Sequence, residues 1–300
     1  MITTAQLKEK LLDGSKKSII LDTDTFNEID DQYALAYAML SRDTVELLAV
    51  TAAPFSNSRA ATPAYGVEQS YNEALRIRNF VDPNATVPVY MGSKTYLPSK
   101  SEPVESDAAN AIVELVRGRE ELTYIVAVGA ITNVASAILK APDIVEKAVV
   151  IWLGGHALHF KNNHEFNLYQ DVPAAQVVFD SGIPFVQIPC CGVCTEFLTT
   201  IHELRHYLAG KNDLCNYLVE LTDAYLNRPG KVVYSKVVWD VTAVAAITRP
   251  DTLDMVEIPR PIVTDNELYA FDMARPSYLY VRRIKRDALY LDLFDKLANK

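Results

Sequence analysis

Cysteine is scarce in this chain, with four in 300 residues. So few thiols in so long a chain exclude a disulfide-built scaffold, and a reducing cytoplasm is the expected compartment. Long apolar runs are missing as well. The most apolar windows, Tyr124 to Leu139 and Ala148 to Phe160, are too short or too interrupted by polar residues to span a bilayer. Met1 to Lys17 mixes lysines and acids in a helix-like pattern without a small-residue cleavage site, so no secretory signal is expected. Positive charge is in deficit, with 29 Lys and Arg against 38 Asp and Glu and a net charge of −9. That balance argues against a general nucleic-acid or anionic-membrane binder. No glycine-rich phosphate loop or dinucleotide fingerprint is present. No repeat, low-complexity segment or linker divides the chain, so residues 1–300 are read as one domain.

What the chain has is apolar content, 49% of residues, enough to bury a sizeable core. Strands are expected at Ser18–Asp22, Val45–Thr51, Val87–Met91, Leu122–Val128, Lys147–Leu153 and Ile183–Ile188. Helical periodicity fills the gaps, near Asp30–Leu40, Arg59–Arg78, Asp107–Arg117, Asn133–Leu139 and Ala174–Phe179. Beyond Thr195 the pattern is mainly helical, with later strands near Met255–Val263 and Ser277–Ile284 and a closing helix at Leu289–Leu297. Strands apolar nearly throughout belong to a mostly parallel central sheet flanked by helices, an α/β fold. Sites in such sheets collect where strands end and helices begin.

One such junction is unusual. Between Asp22 and Asp31 lie five acidic residues: Asp22, Asp24, Glu28, Asp30 and Asp31. Asp30 and Asp31 suit the first turn of a helix without any ligand. Asp22 and Asp24, at a strand end, have no such reason to be there. Carboxylates held this close repel one another unless a cation lies among them. Oxygen ligands alone favour Ca²⁺ or Mg²⁺ over zinc.

Three more segments stand at comparable junctions. Gly129-Ala130-Ile131-Thr132-Asn133 follows a strand, His164-Glu165-Phe166-Asn167 follows Leu153-Gly154-Gly155, and Trp239-Asp240 opens a late helix. In order and spacing, these and the acidic stretch resemble the nucleoside hydrolase family, the inosine-uridine-preferring ribohydrolases. The resemblance implies Ca²⁺ held by Asp24, Asp31 and Asp240 through carboxylates and by Thr132 through its main-chain carbonyl. It implies that Asp24 takes the proton from the attacking water, with Asp22 a supporting neighbour. Asp30 is placed at the ribose 2′-hydroxyl, Glu165 and Asn167 at the 5′- and 3′-hydroxyls, and Asn57 and Leu153 beside the substrate. The ribose-binding Asn of the loop before Glu165 corresponds to Asn162 or Asn163, or is absent. A nucleoside partner and a homo-oligomer, dimer or tetramer, are implied too.

The chain departs from the common pattern. Many members carry His before the C-terminal Asp, where this chain has Trp239. Indole stacks on a heterocycle but is no useful acid, and a purine-preferring branch is similar in having Trp there. Purine nucleosides are therefore the expected substrates, with His156, His159 and His164 as alternative acids. Five residues separate Asp24 from Asp30 where the family usually has three, so Asn27 or Glu28 is free to enter the site. A catalytically weak nucleoside- or ribose-binding protein on the same fold is the alternative from another class.

Other motifs compete. His202-Glu203-Leu204-Arg205-His206 matches the H-E-x-x-H zinc peptidase signature, but Thr200 and Glu203 also form a helix capping box. Cys191-Gly192-Val193-Cys194 has C-x-x-C spacing and no second pair, so reduced, part-buried thiols are expected. Asp22-Thr23-Asp24 is similar to the aspartate pair of haloacid-dehalogenase-type phosphatases, which expect a small hydroxyl residue where Phe26 stands.

Overall fold

The computed structural model describes residues 1–227, 230 and 234–300. Its strands are β1 Lys17–Thr23, β2 Val45–Ala52, β3 Val89–Tyr90, β4 Thr123–Ala127, β5 Ala148–Leu153, β6 Phe185–Ile188, β7 Leu198–Thr200, β8 Ser235–Val237, β9 Leu253–Pro259, β10 Ile262–Val263, β11 Tyr269–Ala270 and β12 Ser277–Ile284. Its helices are α1 Thr4–Leu12, α2 Asp30–Leu40, α3 Pro63–Val81, α4 Asp107–Arg117, α5 Thr132–Lys140, α6 Phe166–Gln170, α7 Val172–Asp180, α8 Ile201–Leu208, α9 Asp213–Leu226, α10 Val241–Thr248 and α11 Arg286–Ala298.

Eight strands form the central sheet in the order β3-β2-β1-β4-β5-β6-β12-β9. All neighbours run parallel except β9, which lies antiparallel to β12 at the edge. The expected strand over Met255–Val263 is in fact two, because β9 ends at Pro259 and Ile262–Val263 joins a separate hairpin with β11. The expected strand at Val87–Met91 contracts to Val89–Tyr90.

Alternation across the pleat divides the core in two. Ile19 and Leu21 of β1 and Tyr124 and Val126 of β4 face the layer built from α2, α3 and α8 to α11. Ile20, Ile125 and Ala127 face the layer of α4, α5 and α7. Every residue of β1 and β4 is buried, as continuous apolar runs between two helical layers require. Chain order reverses between β1 and β4, since β2 and β3 lie to one side and β5 and β6 to the other. The crevice beyond the carboxyl ends of such a pair is where open α/β sheets bind ligands. Among the described residues, no helix is long and apolar enough to cross a membrane.

Candidate active site

The crevice opens into a cavity of about 410 Å³, an ordinary size for a small-molecule site. Asp24, Asn27, Glu28, Asp30 and Asp31 enter it from the β1–α2 connection. Asn57 and Arg59 come from the loop after β2, Val128 from the end of β4, and Leu153 from the end of β5. His156, Glu165, Asn167, Cys190 and Cys191 close one part of the wall, and Tyr225, Trp239 and Asp240 another. Residues more than two hundred positions apart thus meet at the carboxyl end of the sheet.

The acidic group is buried. Ligand oxygens of Asp30, Asp31 and Asp240 lie within 4.8 Å of one another. Burial, and then the charges of Asp31 and Asp30, hold the Asp24 carboxyl well above the ordinary range. Asp240 is raised the same way by burial, Asp30, Asp31 and Asp24. Burial and the Asp30 charge push Asp31 up to about 7. Asp31 accepts a bond of 2.5 Å from the Thr23 hydroxyl, yet Asp24 Oδ2 is buried with no partner. Crowded, desolvated carboxylates with an unpartnered oxygen are a donor set that suits a hard divalent cation. Gly129 matters here, because a Cβ at that position would lie 3.1 Å from Asp24 Cγ and press on the carboxylate.

Behind this group stands a brace. Asp22 lies outside the cavity, and its Oδ1 accepts from the Thr51 hydroxyl at 2.6 Å and from Asn133 Nδ2 at 2.8 Å. Asn133 also donates to the Ala52 carbonyl at 2.9 Å and accepts from Ser93 N at 2.9 Å. The ends of β1 and β2 are thereby locked to the start of α5.

Thr132 stands apart from these groups. It does not line the cavity, and its hydroxyl donates to Asp171 Oδ2 at 2.6 Å, tying α5 to α7. Four residues earlier, Val128 is the part of this loop that lines the cavity. Asn167 Nδ2 donates to the Val128 carbonyl at 3.0 Å and the Leu153 carbonyl at 2.9 Å, coupling β4 and β5. Glu165 caps α6, accepting from Asn167 N and Leu168 N, both at 3.0 Å, and from Gly155 N at 2.8 Å. These bonds fix the carboxylate at the cavity wall.

Asn162 is placed away from the cavity too. It is exposed and absent from the cavity wall, because the loop turns it outward. Asn163 is buried, but its Oδ1 accepts from His156 N at 2.5 Å, so it braces the loop instead. Of the three loop histidines only His156 lines the cavity, and burial lowers its pKa. His164 is exposed and pairs with Glu267 at 2.5 Å.

The zinc signature does not assemble. His202 and His206 are exposed on α8. Thr200 caps the helix by accepting from Glu203 N at 3.2 Å. The Glu203 carboxylate goes elsewhere, to the Thr199 hydroxyl at 2.6 Å and to Arg286. Among the described residues, the one group of three potential metal ligands is Asp30, Asp31 and Asp240. All four cysteines are free thiols, three of them buried.

The sequence reading missed Lys236 altogether. It lies on the three-residue strand β8, buried, with Nζ 2.5 Å from Glu28 and 3.2 Å from Asp30. Burial alone would disfavour the ammonium, but Asp30 and Glu28 more than offset it and hold its pKa above the usual lysine value. The same Nζ lies 5.8 Å from the Trp239 ring centroid and 5.6 Å from that of Tyr225. No local pattern marks a lone lysine in a short strand as part of an acidic site.

A buried carboxylate cluster at the switch point of a mainly parallel sheet, beside hydrogen-bonding side chains, is an arrangement suited to a hard divalent cation and an oxygen-rich substrate. The comparisons agree. The family model described as inosine-uridine preferring nucleoside hydrolase matches residues 19–276. The chain belongs to that family, whose members hydrolyse the N-glycosyl bond of nucleosides. It is 26% identical to the probable uridine nucleosidase 2 of Arabidopsis thaliana, over 71% of this chain and 70% of that one. It is 26% identical to the non-specific ribonucleoside hydrolase RihC of Salmonella enteritidis, over 84% of this chain and 85% of the relative. In fold it matches the purine-preferring ribonucleoside hydrolase from Gardnerella vaginalis with a TM-score of 0.79 at 20% identity, covering 94% and 98% of the two chains.

Proposed function

We propose that this protein is a Ca²⁺-dependent N-ribohydrolase that converts ribonucleosides, purines above all, and water to ribose and free base. The observation that carries this reading is the gathering of Asp24, Asp30, Asp31 and Asp240 with Glu165, Asn167 and Trp239 around one cavity. Asp24, Asp31 and Asp240 would hold the cation, with Val128 rather than Thr132 the nearby main-chain candidate. Bound there, calcium would supply a Lewis-acid centre that makes water reactive near neutral pH.

The protein's own groups do the rest. Asp24 accepts a proton as the water oxygen bonds to the anomeric carbon and the bond to the base nitrogen breaks. The electron pair of that bond leaves with the base, which takes up a proton from solvent. The surrounding carboxylates stabilise the positive charge that develops on the ribosyl ring. Asp30, Glu165 and Asn167 position the ribose hydroxyls, and this orientation lowers the barrier before any bond changes. Trp239 stacks on the departing base, which supports the purine preference. Four reduced thiols favour the cytoplasm, and a homo-oligomer accords with the family.

The test is ribose release from a panel of purine and pyrimidine ribonucleosides, with and without chelator. Calcium-dependent release, faster on purines, is expected. Asp24→Ala should lower turnover by about a thousandfold or more while the fold is kept. Full activity in a folded, calcium-loaded Asp24→Ala protein would refute the assignment.

A further inference from the structure

The connection from Asp24 to Asp30 places Asn27 at the cavity wall. We infer that Asn27 supplies a substrate contact, its side-chain N–H donating to a ribose hydroxyl, and that Asn57 acts through it as a positioning residue. This rests on the nucleoside hydrolase reading above.

The argument is one of hydrogen-bond capacity. Asn57 Oδ1 accepts from Arg59 N at 2.7 Å and Ala60 N at 3.2 Å. Two backbone donors fix which way this amide points. Its Nδ2 must then face the other side, where it donates to Asn27 Oδ1 at 2.7 Å. Asn27 in turn has to present oxygen to Asn57, which turns its own Nδ2 away. No bond to Asn27 Nδ2 is made among the described residues, although Asn27 lines the cavity together with Asp24 and Asp30.

The backbone of Asn27 is held too. Its N–H donates to the Asp24 carbonyl at 2.7 Å, and its carbonyl accepts from Arg59 Nη1 at 3.2 Å. Arg59 is itself seated over the Phe26 ring at 4.2 Å. The result is a preorganised N–H donor in a cavity otherwise dominated by acceptors. A sugar hydroxyl is the group such a pairing recognises, because its oxygen accepts from the amide while its proton goes to a carboxylate.

Asn27→Asp is the sharpest variant. It retains the oxygen that Asn57 needs and replaces the donor by an acceptor, and because it also adds a negative charge, the neutral Asn27→Ala is read beside it. Binding of ribose, 2-deoxyribose and 3-deoxyribose to the calcium-loaded protein by titration calorimetry reads the contact without turnover. Steady-state kinetics on ribo-, 2′-deoxy- and 3′-deoxynucleosides reads it in catalysis. In Asn27→Ala and Asn27→Asp, ribose affinity and kcat/KM on ribonucleosides should fall about tenfold. The preference of the wild-type protein for one of the hydroxyls should shrink by the same factor. Asn57→Ala should add little once Asn27 is already Ala.

Unchanged discrimination between ribose and both deoxy sugars in the Asn27 variants would overturn the inference, as would an equal further loss from Asn57→Ala in the Asn27→Ala background. Ribose binding that depends on Asn27 in a protein with no nucleoside turnover would support the inference and refute the hydrolase reading. Turnover that is indifferent to Asn27 would do the reverse.

Discussion

Single atoms decide the character of this site. Asp22 and Asp24 stand two residues apart, yet one is a strut and the other faces the cavity. Burial pushes Asp22 up to about 6 even though Thr51 and Asn133 both donate to it, so its place is held by neighbours rather than by solvent. Trp239 and Asp240 are adjacent in the same way, and both reach the cavity. Because Trp239 offers a stacking surface and no proton, Trp239→Ala should slow purine nucleosides about tenfold more than a nitrophenyl riboside, whose leaving group departs without protonation. Parallel kinetics on the two substrates check this, and equal losses would remove Trp239 from any role in base departure.

Between elements, the connections carry the chemistry and the framework fixes the connections. The Thr132-Asn133 pair opening α5 belongs to that framework. Asn133 joins the ends of β1 and β2 and the Ser93 backbone, all fully buried. Asn133→Ala would leave Asp22 Oδ1 with one donor and strip two backbone groups of partners. A loss of roughly 2–3 kcal/mol in denaturant unfolding is expected, with weaker calcium binding because Asp24 is no longer aligned. A variant of wild-type stability would show that Asp22 is held by other means. The β1–α2 connection behaves differently. It carries Asn27 and Glu28 to the cavity wall, and Glu28 then meets Lys236 from β8.

For the whole molecule, the buried carboxylates in and behind the cavity tie stability to pH and, on the proposed reading, to calcium. Asp22 at about 6 and Asp31 at about 7 lie above the ordinary carboxyl value of 3.8. In the chelated protein the folded state holds these protons after the unfolded chain has released them. Their contribution to stability is therefore full below about pH 4 and is lost as pH rises through 6 to 7. On the proposed reading, calcium would offset the repulsion only where the carboxylates are ionised, and would stabilise the folded state it binds. The difference in Tm between calcium-loaded and chelated protein should thus widen from pH 5 to pH 7.5 and then level off. Thermal melts across that range test it, and a gap that narrows with pH would contradict a cation among these carboxylates.

The α/β class and the succession of strands and helices were legible in the sequence, because apolar runs and helical periodicity are local consequences of burial on two faces. Asp24, Asp30, Asp31, Glu165, Asn167, Trp239 and Asp240, which the family resemblance singles out, all line the one cavity. Distance in space was not written in the sequence. Thr132 and Val128 sit on one loop, and only the turn into α5 decides that Val128 lines the cavity while Thr132 binds Asp171. Asn162 and Asn163 are adjacent, and only the packed loop shows that one faces solvent and the other braces His156 N. Lys236 carries no local signal, and its pairing with Glu28 and Asp30 exists only once β8 is laid against the β1–α2 connection. The sequence alone determined which groups were available at the strand ends. Tertiary packing decided which of them meet, because a side chain's hydrogen bonds and charges depend on neighbours that the order of residues does not specify.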